Sequence, residues 1–115
     1  MRVGTAISLA QTVYAIARSP AVSEYMIGVT SRPNLSRRRE HYAKFGYQHL
    51  VVLADNLTPA IAQRIEEALQ GYIRDAPNLA VFNKYERSRR HGPYHPNLGR
   101  REGLFSVYMA WRDDT

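Results

Sequence analysis

Four short runs rich in β-branched and aromatic residues, at 12–17, 25–30, 47–54 and 104–111, restrict this chain to a fold built on one small sheet. Between the third and fourth runs lies a long stretch of helical period, in which Ile61, Ile65, Leu69 and Tyr72 recur at i, i+4, i+8 and i+11. A chain of 115 residues has material for one modest core. The expected fold is therefore a single α/β (α+β) domain over 1–115, with a central antiparallel sheet of three to four strands flanked by helices.

The runs at 12–17 and 25–30 are bounded by Arg18-Ser19-Pro20 and by Ser31-Arg32-Pro33-Asn34, and read as a hairpin with a longish loop. Asn34 or Ser36 caps a short helix through about Phe45, which Gly46 ends. On that helix Leu35, Tyr42 and Phe45 share a side, Arg38 and Arg39 flank it, and Arg37 faces away with Lys44. The run at 47–54 is apolar enough for a central strand. Thr58 and Pro59 open the next helix, and Asp75-Ala76-Pro77-Asn78 stops it. Within it Glu66 borders the apolar stripe while Glu67 faces water. A long loop follows, basic from 84 to 103, and residues 104–112 form the closing strand, with Tyr108 and Trp111 either completing the core or, where an aromatic is exposed beside the loop, stacking on a base. Gly28 marks either a close approach to its strand or a bulge.

The formal charge of +6 comes almost wholly from arginine, since Lys44 and Lys84 are the lysines. Guanidinium groups bind phosphate oxygens bidentately, which points to nucleic acid, although a biased genomic composition gives the same excess. The charge falls in two blocks: Arg32, Arg37, Arg38, Arg39 and Lys44 in the first, and Lys84, Arg87, Arg89, Arg90, Arg100 and Arg101 in the second. Such blocks are solvated faces or, flanking a site, a phosphate-attracting track.

With no cysteine the chain has no disulfide and no thiolate zinc site, as suits a reducing compartment, and a cytoplasmic location is expected. No run reaches the roughly 18–20 apolar residues of a membrane span. Arg2 and the apolar stretch after it imitate a secretory leader, but Gln11 and Tyr14 interrupt the run. His91 and His95 have zinc-like spacing without the companions that would make a site.

In order along the chain, Thr12-Val13-Tyr14, Met26-Ile27-Gly28 followed by Val29-Thr30-Ser31, Leu35-Ser36-Arg37-Arg38, Ala62-x3-Glu66-x2-Leu69 and Asn83-Lys84 resemble the motifs of the GIY-YIG nuclease family over about residues 12–84. The resemblance implies a divalent-metal-dependent endonuclease acting on DNA, with Mg²⁺ or Mn²⁺ bound by Glu66. In such enzymes the tyrosine, here Tyr14, positions or deprotonates the attacking water, and the arginine, here Arg38 with Arg37 left open, neutralises the phosphate. Tyr25, Gly28, Arg37, His41 and Asn83 take supporting places. Nucleic acid is held by Arg37, Arg39, Lys44, Lys84, Arg87, Arg89, Arg90, Arg100 and Arg101. Met26 departs from the pattern where a second tyrosine stands, and methionine neither donates a hydrogen bond nor titrates.

Three readings follow: the endonuclease, a nucleic-acid-binding accessory module of the same fold with weakened or lost chemistry, and a protein-interaction domain. No separate DNA-reading module accompanies the domain, so low-specificity cleavage or recruitment by a protein partner is expected. A phage or mobile-element origin, hence the host cytoplasm, suits the likeness.

Overall fold

The run at 12–17 is helical, not a strand. In the computed structural model, which describes residues 3–31, 34–75, 78–86 and 104–113, with side chains from residue 8, the first element is α1 (Val3–Ala17). Ala10, Val13 and Ala17 are buried, with Leu9, Tyr14 and Ile16 packed beside them. These positions are three and four apart, and that period outweighs the strand propensity of Val13 and Tyr14. The Thr12 hydroxyl turns back onto the Ser8 carbonyl at 3.2 Å, as threonines inside helices do.

The expected hairpin is accordingly absent. After α1 come β1 (Val22–Ser31), α2 (Leu35–Lys44), β2 (His49–Leu57), α3 (Pro59–Asp75), α4 (Leu79–Lys84) and β3 (Phe105–Asp113). The sheet order is β1-β3-β2, and β3 runs antiparallel to both neighbours. The last strand is thus the central one, whereas β2, expected in the middle, lies at an edge. Being each antiparallel to β3, β1 and β2 are parallel to one another, and α2 is their crossover.

Register fixes which side chains share a face. Ile27 pairs with Met109, Gly28 with Tyr108 and Val29 with Val107 along β1, while Leu50 pairs with Ala110 and Val51 with Met109 along β2. One face carries Tyr25, Ile27, Phe105, Val107 and Met109, packed on Val13 and Ala17 of α1 and on Ala62, Ile65, Leu69 and Ile73 of α3. The other carries Met26, Leu50, Tyr108 and Ala110, covered by Tyr47 and by Leu35 and Tyr42 of α2. Two layers of helix thus sandwich three strands, the α1/α3 layer holding the larger core.

Local chemistry sets the ends. Thr58 Oγ1 accepts from the Ile61 amide at 3.3 Å and caps α3 as expected. Gly46, at φ +90, turns the chain out of α2 in the left-handed conformation that only glycine adopts without cost. The strand β2 continues past its expected end through an irregularity between Ala54 and Leu57, where Asn56 takes φ 55 and Asp55 Oδ1 accepts from the Asn56 amide and the Ser106 hydroxyl. Helix α4, read from the sequence as the start of a loop, is capped by Asn78, whose side chain accepts from the Val81 amide at 3.2 Å. The stripe of α3 is turned from the expected one, so that Ile73 is buried and Tyr72 is 41% exposed. Among the described residues no helix is long and apolar enough to cross a membrane.

Candidate functional site

The layering of the sheet separates the residues expected to act together. Tyr14 stands on α1 and Glu66 on α3, in the layer over one face, while Arg38 stands on α2, over the other. The Tyr14 hydroxyl donates to the Tyr72 carbonyl at 2.7 Å, six residues beyond Glu66 and about 9 Å further along the helix. Burial, reinforced by Tyr72 and Asp75, raises the Tyr14 phenol above its ordinary value of 10.0. Tyr14 and Glu66 thus lie across the sheet from Arg38. The helical period of residues 9–17 places Tyr14 outside the sheet.

Glu66 is 8% exposed, beside Gln70. A phosphate-bound Mg²⁺ keeps several waters and is held by one or two carboxylates plus the phosphate itself. Glu66 lies in the α1/α3 layer, across the sheet from the α2 arginines, and among the described residues no group of three or more His, Asp or Glu is placed to hold a metal.

The supporting residues have other work. Tyr25 is fully buried, stacks on Tyr85 with centroids 5.2 Å apart and donates its hydroxyl to the Val81 carbonyl, while its own carbonyl accepts from the Glu86 amide at 2.8 Å. It fastens α4 and the segment after it to β1. Gly28 leaves room for Tyr108: a Cβ there would lie 2.5 Å from the Tyr108 hydroxyl. Asn83 is exposed on α4. Lys84, expected on phosphate, instead donates to the carbonyls of Ala17 and Ser19, at 2.9 Å each, and closes the C-terminal end of α1. Arg32, Arg87, Arg89, Arg90, His91, His95, Arg100 and Arg101 lie outside the described residues.

The remaining basic residues do gather. Arg37, Arg38, Arg39, His41 and Lys44 are all exposed on α2, opposed there by Glu40 alone. No residue of α2 is fully buried; Leu35 and Tyr42 tether it to the sheet. The Arg39 guanidinium leans over β2 to the Leu50 carbonyl at 3.4 Å. The His41 ring lies 4.9 Å from Phe45 and 5.3 Å from Tyr42.

Beside the C-terminal half of α2 opens a pocket of 440 Å³. His41, Tyr42 and Phe45 line it from the helix side, Glu24 and Met26 from β1, and Tyr47, Glu86 and Arg112 complete it. The Arg112 guanidinium lies over the Tyr47 ring, 4.9 Å from its centroid, and donates to the Phe45 carbonyl at 2.7 Å. Burial first, then the charge of Glu24 and a hydrogen bond to it, raises the Tyr47 phenol well above 10.0; Glu86 adds to this and Arg112 opposes it. Tyr47 therefore remains a donor to Glu24. On the same face the Tyr108 hydroxyl meets that of Tyr42 at 3.3 Å.

Glu24, Tyr47, Tyr108 and Arg112 escape a reading of the sequence because they converge through long-range register. The pairing of Glu24 with Arg112 follows from β3 being central. The alternation of Ser106, Tyr108 and Ala110 is a usable sign that Tyr108 faces opposite to Val107 and Met109. No protein-family model, curated protein or solved structure matches the chain.

Proposed function

We propose that the chain binds nucleic acid, with α2 as the element that holds the phosphate backbone. The observation that carries this reading is the run Arg37-Arg38-Arg39, exposed throughout on a helix that buries none of its residues fully. A helix that contributes so little to the core and places guanidinium groups in water is suited to a polyanion, because each arginine forks onto phosphate oxygens and releases condensed counterions. The reading is tested by the salt dependence of binding to short DNA and RNA strands. Replacing Arg37, Arg38 and Arg39 by alanine lowers the slope of log K against log salt by roughly 0.7 for each phosphate no longer neutralised on a single strand, or roughly 0.9 on a duplex. An unchanged slope refutes the assignment of α2.

A second reading, phosphodiester cleavage, draws on one observation. The strand antiparallel to Met26-Ile27-Gly28 is β3, which bears Ser106-Val107-Tyr108, and Tyr108 sits over Gly28 on the face that α2 covers. The likeness to GIY-YIG nucleases calls for a tyrosine beside the glycine strand with arginines on the helix that follows; Tyr108 stands beside that strand, its ring buried and its hydroxyl on that of Tyr42. Supercoiled plasmid incubated in Mg²⁺, Mn²⁺ or EDTA decides it. On this reading nicking is lost in Tyr108→Phe and kept in Tyr14→Phe, and Glu66→Ala determines whether Glu66 takes part. DNA binding with no nicking under any condition leaves the binding module.

A further inference from the structure

We propose that the pocket beside α2 accepts one unstacked nucleobase, and that guanine is the base it prefers. This rests on the nucleic-acid reading above and adds the part of the strand that is read. At 440 Å³ the cavity is within the roughly 300–1,000 Å³ typical of small-ligand sites. Its charged lining is Glu24 and Glu86 with Arg112, whose guanidinium is held over the Tyr47 ring and on the Phe45 carbonyl, and the exposed arginines of α2 lie on the same helix that supplies His41 and Tyr42. A phosphate inside would face two carboxylates against one guanidinium that is already engaged with Tyr47 and the Phe45 carbonyl. The ligand that satisfies both regions is anionic along its backbone and a neutral hydrogen-bond donor at its tip, as a nucleotide within a strand is.

The donor edge selects the base. Carboxylates accept and never donate when ionised. Guanine presents N1–H and the exocyclic N2 amine side by side, matching the two oxygens of one carboxylate; adenine and cytosine offer an amine beside an acceptor, and thymine or uracil one N–H between two acceptors. Tyr47, held protonated and committed to Glu24, orients that carboxylate. Stacking comes from Phe45, a ring 61% exposed at the pocket with His41 against it. A base reaches such a site from a single strand, a loop or a flipped position, not from within a stacked duplex.

The test is fluorescence anisotropy of the full chain with labelled nine-nucleotide thymine strands bearing a central guanine, hypoxanthine, adenine or thymine. Guanine is expected to bind on the order of ten-fold more tightly than thymine or adenine, with hypoxanthine, which lacks the N2 amine, in between. Glu24→Gln and Glu86→Gln are each expected to reduce the guanine preference while leaving the salt slope in place. Phe45→Ala, which removes an exposed ring and does not threaten folding, is expected to weaken every strand by at least about five-fold. Binding that ignores the central base and the Phe45 change overturns the pocket proposal and leaves the role of α2 standing. Absence of binding to any strand at low salt overturns both, and tighter binding of a lysine-rich peptide than of any strand assigns the pocket to a cationic partner instead.

Discussion

A methyl group at Gly28 would sit 2.5 Å from the Tyr108 hydroxyl and 2.6 Å from the ring carbon that bears it, so Gly28→Ala cannot be accommodated by rotating a hydroxyl. The ring must move, at a cost of about 1–3 kcal/mol. Denaturant unfolding of Gly28→Ala, Tyr108→Leu and the double variant should be non-additive, since the shorter side chain removes the clash; strict additivity would mean that the two do not meet. Tyr47 supplies a second residue-scale prediction. Its folded pKa lies above the unfolded value near 10, so the native state holds this proton more tightly. Its contribution to stability is complete below about pH 10 and declines as pH rises from there toward the folded value. The Tyr14 phenol is raised too and acts in the same direction. The urea midpoint should therefore fall as pH rises above about 10, and fall less in Tyr47→Phe; equal falls in the two proteins would contradict the environment made by Glu24, Glu86 and Arg112.

Among the elements, the C-terminal end of α1 is tied down by Lys84, whose ammonium reaches the Ala17 carbonyl and the Ser19 carbonyl, the latter also accepting from the Val22 amide. Lys84→Met should cost about 1.5–3 kcal/mol, as expected for hydrogen bonds to a charged group. Measured below its melting temperature, the variant should keep the wild-type affinity and salt slope for nucleic acid; a slope lowered as by the α2 arginines would return Lys84 to the phosphate-binding set. The legibility of the sequence divides along the same line between local and distant chemistry. Thr58, Pro59, Gly46 and the stop at Asp75 act on their own neighbours, and the ends of α2 and α3 can be read from them. The helix α1 reads as a strand because Val13 and Tyr14 carry strand propensity, although Leu9, Val13 and Ala17 already show the helical spacing. Which strands adjoin, and therefore which side chains share a site, has no local trace: Glu24 and Arg112 meet through the position of β3, and Glu86 joins them through its amide on the Tyr25 carbonyl.

At the scale of the whole molecule, β3 is the link between β1 and β2 in the described sheet, and six of its nine residues, from Phe105 to Ala110, are buried. A chain ended at residue 103 retains every other element yet leaves two parallel strands with no common partner. Such a truncation should show no cooperative thermal transition; a sharp one would mean that the helices fold without the sheet. Pairing that joins residue 22 to residue 113 also brings together residues far apart in the chain, and contacts of such long range slow folding relative to a helical bundle. In the cell this has a temporal meaning. While the ribosome is still making residues 105–113, β1 and β2 are finished but have unpaired edges, and the aromatic faces that β3 will cover stand open. Because β3 follows the other described elements along the chain and pairs with both β1 and β2, this sheet cannot assemble until residues 105–113 have left the exit tunnel.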